Sequence, residues 1–194
     1  MSVTVEKCLQ AWTNSLRQMN ARSDVVFFGD SQVYYGDFAS VFPDKVVCNL
    51  GLRGDTIQGM IDRMVQLRIL KPKQVFLMVG INDVANNTAN EFKKQFEVLL
   101  MQFEERSLSM KLVVFGMLPV NDVDFSIRCN NEQIVRCNEI IASLCNKHGL
   151  CYINLFAVYE RNGKLPKERT IDGIHLKPEA YYEWYNSLNI YQRI

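Results

Sequence analysis

Five short apolar runs constrain this chain more than any other feature; they lie at residues 25–28, 46–50, 75–79, 112–115 and 151–153. Each is rich in β-branched and aromatic side chains, lacks polar alternation and ends near Gly, Asn or Asp. A strand covered on both faces needs that composition, so the runs read as buried parallel strands. Between them lie stretches with helical spacing, at residues 3–19, 57–70, 89–105, 127–147 and 178–190. Ile57, Met60, Ile61, Met64, Val65 and Ile69 form one apolar stripe, and Phe92, Phe96, Leu99, Leu100 and Phe103 another. Asp55 or Thr56 can cap the second stretch, and Pro178 suits the first turn of the last. Lys147-His148-Gly149 reads as a helix stop. Alternating helices and strands predict an α/β fold: a three-layer α/β/α sandwich around a parallel sheet of about five strands, in one domain over residues 1–194.

Composition narrows the function classes. The chain has 194 residues, 48% hydrophobic and 22% charged, which excludes a disordered chain. Its formal net charge of +1 supplies no basic field for nucleic acid or an anionic membrane. No apolar run approaches the ~20 residues that a membrane-spanning helix requires. The first residues lack the basic and apolar regions of a signal peptide, which sets a cytoplasmic location as the expectation. Six cysteines occur with no Cys-x-x-Cys pair, so the expectation is reduced, mostly buried thiols and no metal site. Cys129, Cys137 and Cys145, eight residues apart, read as core packing on one helix.

In open parallel sheets, functional residues gather beyond the carboxyl ends of the strands. Four polar or glycine clusters fall there or near the C-terminus: Gly29-Asp30-Ser31, Asn49-Leu50-Gly51-Leu52-Arg53-Gly54, Gly80-Ile81-Asn82-Asp83 and Asp172-Gly173-Ile174-His175. Ester cleavage needs a nucleophile, a base, a group that orients the base, and donors for the oxyanion. Ser31, at a tight turn after the first run, is the candidate nucleophile. The chain has two histidines, and His148 falls at a predicted helix end, where a basic ring suits the dipole. That leaves His175 as the base, with Asp172 three residues earlier to hold one ring nitrogen. The Ser31 N–H, Gly51 and Asn82 are the candidate oxyanion donors.

Taken together and in this order, the clusters resemble the SGNH (GDSL-type) hydrolase family, named for Ser, Gly, Asn and His in four blocks. Those positions fall on Ser31, Gly51, Asn82 and His175, with Asp172 as the third triad member. The blocks run from Gly29 to Leu176 and so span most of the chain. One departure is Gln32-Val33, where the family usually carries Leu or Ile and then a small or polar residue. The resemblance implies a flavodoxin-like sheet, hydrolysis of esters (acetylated sugars, lipids or thioesters), a small-molecule ester substrate, and no metal or cofactor.

Asp30 and Asp83 adjoin the candidate residues and are expected to fix loops by accepting backbone N–H groups. Arg53-Gly54-Asp55 spells an adhesion tripeptide, but turn and helix-cap roles account for it. Residues 118–126 and 161–170 could shape a pocket; the second loop carries Arg161, Lys164, Lys167 and Arg169, which would suit either an anionic substrate or solvent. Tyr181, Tyr182, Trp184, Tyr185 and Tyr191 are expected to pack the last helix. There is no room for a large lid, so the expected site is open and shallow, for small acyl groups, with acetyl on a carbohydrate favoured. The rivals are a lysophospholipase or thioesterase of the same family, and an inactive flavodoxin-like binding module. Neither a G-x-G-x-x-G nor a G-x-x-x-x-G-K-[ST] phosphate loop follows the first run.

Overall fold

A computed structural model describes residues 3–104 and 110–191, with backbone alone for residues 3–6 and 191. The strands are β1 (Val25–Gly29), β2 (Val47–Gly51), β3 (Gln74–Met78), β4 (Lys111–Phe115) and β5 (Cys151–Ile153). All pair in parallel, in the order β2-β1-β3-β4-β5. The helices are α1 (Val3–Gln18), α2 (Ser31–Tyr34), α3 (Ile57–Asp62), α4 (Val65–Leu70), α5 (Ile81–Val84), α6 (Ala89–Phe103), α7 (Asn131–Lys147), α8 (Leu155–Tyr159) and α9 (Tyr182–Ser187).

The strands divide their side chains between two cores because successive residues point to opposite faces. Val26, Phe28, Leu50, Val75, Leu77, Leu112 and Val114 pack against α1, α3, α4, α6 and α7. Val25, Phe27, Phe76, Met78, Val113 and Phe115 pack against Phe38, Phe42, α8 and α9. Three layers result, as the apolar runs predict. Phe27 stacks on Phe38 at 3.8 Å and on Phe76 at 4.7 Å, and Phe76 stacks on Phe115 at 5.7 Å. Each such ring contributes about 2 kcal/mol by burial.

Three expected helices differ from their sequence pattern. The stretch 57–70 is two helices, because Arg63 leaves helical geometry and turns its side chain into the protein. Residues 127–130 precede α7, whose start is set by a capping box between Asn130 and Gln133. The last stretch is a short α9 between 3₁₀ turns at Pro178–Tyr181 and Asn189–Tyr191. Tyr181 and Trp184 are buried there as expected, whereas Tyr182 is exposed. Glu105, the expected end of the third helix, and the Tyr191 side chain lie outside the described residues. Thr56 is the residue that caps α3. His148 closes α7 with Gly149 at φ +64° behind it, and its ring pairs with Glu104.

The cysteines are free, but only Cys129, Cys137 and Cys145 are buried; Cys48 is half-buried, and Cys8 and Cys151 are exposed. Among the described residues no helix is long and apolar enough to cross a membrane.

Candidate active site

The chain runs from β1 outward to β2 and then returns past β1 to β3. The crevice between the carboxyl ends of β1 and β3 is therefore the point where strand order reverses. Ser31 follows β1 and Asn82 follows β3, so the topology sets them on either side of that crevice.

Asp30 makes the turn after β1. Its Oδ1 accepts the Gln32 N–H at 2.9 Å and caps α2, which places Ser31 at the first helical position. No acceptor meets the Ser31 N–H among the described residues. The segment carrying His175 is pinned from four directions. Thr170 Oγ1 donates to the His175 carbonyl at 2.8 Å, and the Ile171 N–H does so at 2.9 Å. Asn121 N–H bonds the Gly173 carbonyl at 2.8 Å, and Gln32 Nε2 donates to the Ile174 carbonyl at 2.5 Å. The Tyr181 hydroxyl in turn holds the Gln32 carbonyl at 2.7 Å.

These constraints bring three side chains into line. His175 Nε2 lies 2.9 Å from Ser31 Oγ, and His175 Nδ1 lies 2.7 Å from Asp172 Oδ2. Asp172 Oδ1 accepts the backbone N–H groups of Ile174 at 3.1 Å and His175 at 2.9 Å. Partial burial pushes the Asp172 carboxyl up, but the His175 N–H, the imidazole and the Ile174 N–H outweigh it and hold the group below the usual carboxylate range. Tyr35 stands edge-on to the His175 ring at 5.5 Å, and Arg53 lies over Tyr35 at 5.8 Å.

Asn82 Nδ2 donates one hydrogen to the Asp55 carbonyl at 2.8 Å, which leaves its other hydrogen for the cleft that Asn82 lines. Gly51 does not stand free as the sequence suggests. Its N–H donates to Asn49 Oδ1 at 2.8 Å, and a Cβ on it would lie 2.1 Å from the Tyr34 nitrogen. The reason is local: at the outer edge of the sheet, the Asn49 side chain folds back on the strand end and takes the donor. Gly54 is different. It sits at φ +73° in the turn closed by Asp55 N–H to the Leu52 carbonyl at 3.2 Å, and its own N–H has no acceptor among the described residues.

Behind the strand ends lie three carboxyls. Burial pushes Asp30 up to about 7 and Asp83 up to about 6, in both cases helped by the neighbouring Asp55. Burial also raises Asp55, against the pull of Arg63. Asp83 accepts the Ile57 N–H at 3.2 Å, at the start of α3. Asp30 and Asp83 thus anchor backbone N–H groups, as their positions suggest.

A cleft of about 350 Å³ opens over Ser31 and His175. Ile81, Ala85, Ile127 and Ile174 form its apolar walls, and Asn82, Asn86, Ser126 and Arg128 its polar rim. Residues 127–129 reach the cleft because the Asn130 cap delays α7, which a helix pattern read from residue 127 hides. Sharing Ile81 and Ile174 with the cleft is a second, much smaller slot of about 10 Å³. Met78, Met117, Leu118, Pro119 and Val120 complete its apolar lining. The basic loop 161–170 spends most of its charge internally. Lys164 pairs with Asp124 at 3.1 Å, Arg169 with Glu183 at 2.7 Å, and Arg161 donates to the Val158 carbonyl at 3.2 Å.

Residues 27–182 match the model of the GDSL-like lipase/acylhydrolase family. The chain belongs to this family. It is 28% identical over 131 residues to the human platelet-activating factor acetylhydrolase IB subunit alpha1, a match over 64% of this chain and 55% of that protein. The chain thus spans little more than half of that relative. A structure from Streptococcus pneumonia superposes with TM-score 0.82 at 22% identity, over 99% of this chain and 100% of the other. A GDSL-like lipase from Bacteroides thetaiotaomicron does so with TM-score 0.77 at 18% identity, over 96% of both chains. An acetyl xylan esterase superposes with TM-score 0.68 at 20% identity, over 84% of this chain and 97% of that one. These three structures thus share the fold of this chain.

Sequence reasoning did not single out Gln32, Arg63, Thr170 and Tyr181 as supports of the site. Gln32, Arg63 and Tyr181 act through contacts with residues distant in the chain, of which local spacing carries no signal, while Thr170 bonds the His175 carbonyl five residues on.

Proposed function

We propose that this chain is an ester hydrolase that removes short acyl groups, acetyl above all, by way of an acyl-enzyme on Ser31. The line from Ser31 Oγ through the His175 ring to Asp172 carries the reading, at 2.9 and 2.7 Å. Ser31 Oγ attacks the ester carbonyl as its proton passes to His175 Nε2. Asp172 keeps Nδ1–H in place and stabilises the imidazolium that forms. The Ser31 N–H, the free Asn82 amide hydrogen and the Gly54 N–H hold the oxyanion. Gly54 takes the role expected of Gly51. It directly precedes Asp55, whose carbonyl the Asn82 amide grips, so the two donors stand side by side. His175 then gives its proton to the leaving alcohol. A water, deprotonated by His175, attacks the acyl-enzyme and releases the acid.

The slot behind Ile81 and Ile174 supports a short acyl group, because about 10 Å³ accepts little more than a methyl or one water. The polar rim of the cleft suits an alcohol rich in hydroxyls, hence an acetylated carbohydrate. Two of the similar proteins, an acetylhydrolase and an acetyl xylan esterase, carry acetyl in their names. The test is turnover of p-nitrophenyl acetate, butyrate and octanoate and of acetylated xylo-oligosaccharides, with Ser31→Ala and His175→Ala as controls. Acetate should be turned over fastest, and both variants should be inactive. Faster octanoate turnover would overturn the acyl preference, and an active Ser31→Ala enzyme would overturn the mechanism.

A further inference from the structure

Arg63 is the most deeply embedded cation near the site, with 3% of its side chain exposed. Its Nε donates to Asp55 Oδ2 at 2.7 Å, Nη1 to the Leu50 carbonyl at 2.8 Å, and Nη2 to the Gly29 carbonyl at 2.9 Å. The guanidinium lies over the Phe28 ring at 4.2 Å. Gly29 stands two residues before the nucleophile and ends β1. Leu50 is next to last in β2, and Asp55 follows the Gly54 turn. The Gly29 carbonyl also accepts the Leu52 N–H at 3.0 Å. One planar group therefore joins the end of the nucleophile strand to the loop that carries the Gly54 donor and the Asp55 carbonyl that holds the Asn82 amide.

Stability alone is a weak reason for a charge here. Replacing a buried ion pair with packed apolar side chains is often neutral or stabilising. No apolar side chain, however, can hold a carboxylate and two carbonyls in fixed relative positions, as the rigid fork of a guanidinium does. Arg63 does not line the cleft, so it acts on substrate only through what it holds.

We propose that Arg63 is a positioning residue for ester hydrolysis. It sets the distance between the Ser31 turn and the loop of Gly54 and Asp55, and through the Asp55 carbonyl it aims the Asn82 amide. This rests on the Ser31 mechanism above. A lysine at the position keeps the charge and can still meet Asp55, but it presents a single nitrogen and cannot span all three acceptors. Misplacing reacting groups by about 1 Å can cost about 100-fold in rate.

The experiment compares wild type with Arg63→Lys and Asp55→Asn. Active enzyme is counted by stoichiometric fluorophosphonate labelling of Ser31, and kcat and KM are measured on p-nitrophenyl acetate. Affinity for a small alkylboronic acid, which mimics the tetrahedral species, is measured alongside. Arg63→Lys should lower kcat per labelled site about 10- to 100-fold, with KM within about 3-fold and boronate affinity falling in step with kcat. Asp55→Asn, which keeps the side-chain volume, should move the same quantities in the same direction by less. A folded Arg63→Lys enzyme with unchanged kcat per labelled site and unchanged boronate affinity would overturn the assignment, whatever its melting temperature. If Arg63→Lys does not fold, Asp55→Asn decides by the same criteria. Failure of both to fold would make the pair structural and overturn the proposal. A wild type that neither labels at Ser31 nor turns over acetate refutes the underlying mechanism instead.

Discussion

Asp30→Asn tests the electrostatics beneath the site. The Asp30 side chain is 1% exposed, and burial raises its carboxyl from 3.8 to about 7. A group that holds its proton more tightly folded than unfolded subtracts stability as pH rises. The loss begins near the unfolded value of 3.8 and is complete above the folded value near 7. A shift of about three units corresponds to about 4 kcal/mol. Asparagine keeps the oxygen that caps α2 through the Gln32 N–H and carries no charge at any pH. Wild type should therefore lose stability between pH 5 and pH 8 relative to Asp30→Asn, by about 3 kcal/mol, the remainder of the total being lost between pH 3.8 and pH 5. In a chain of this length that is about 5–10 °C in melting temperature. Asp83, raised to about 6, contributes the same sign to both proteins, and its charge is one of the causes that raise Asp30. Thermal denaturation followed by circular dichroism at half-unit pH steps measures the difference. Parallel curves for the two proteins from pH 5 to pH 8 would refute the account.

Three further outcomes follow from the geometry. Asn82→Ala should lower kcat on a short acyl ester by about 10²–10³ with little change in KM, the usual cost of one oxyanion donor; steady-state kinetics at wild-type rates would exclude the amide from that role. Asp172→Asn should cut kcat by about 10⁴ yet barely shift the melting temperature, since the carboxylate is half exposed and an amide oxygen can still accept the Ile174 and His175 N–H groups. Gly51→Ala should destabilise the fold far more than Gly54→Ala, because a Cβ at Gly51 meets the Tyr34 nitrogen at 2.1 Å while one at Gly54 meets open space at a positive φ. Calorimetry giving the reverse order would show that the two glycines have been assigned the wrong tasks.

Much of this protein is written locally in its chain. All five strands were legible as apolar runs, and their alternation with helical stripes implied three layers; the expected burial holds for β1, β3 and most of β4, whereas the edge strands β2 and β5 are largely half-buried, with Cys151 exposed, because each has a neighbour on one side alone. Ser31, Asn82, Asp172 and His175 were legible as candidates because each follows a strand or precedes the final helices, and because only two histidines compete for one role; their proximity is what the structure adds. The 57–70 stripe showed where a helix lies but not that it breaks. The break comes from Arg63 meeting the Gly29 and Leu50 carbonyls, partners more than ten residues away. Residues 127–129 read as helix and instead line the cleft, because helix starts are decided by cap hydrogen bonds and not by apolar period. Choosing between Gly51 and Gly54 lay beyond any pattern. Both lie in one six-residue cluster, and only the folded strand end shows that the Asn49 side chain occupies one N–H and leaves the other open. Sequence determined which residue types could perform the chemistry. The tertiary structure decided which donors are free to do so, because a hydrogen bond made elsewhere in the fold removes a candidate that spacing alone would keep.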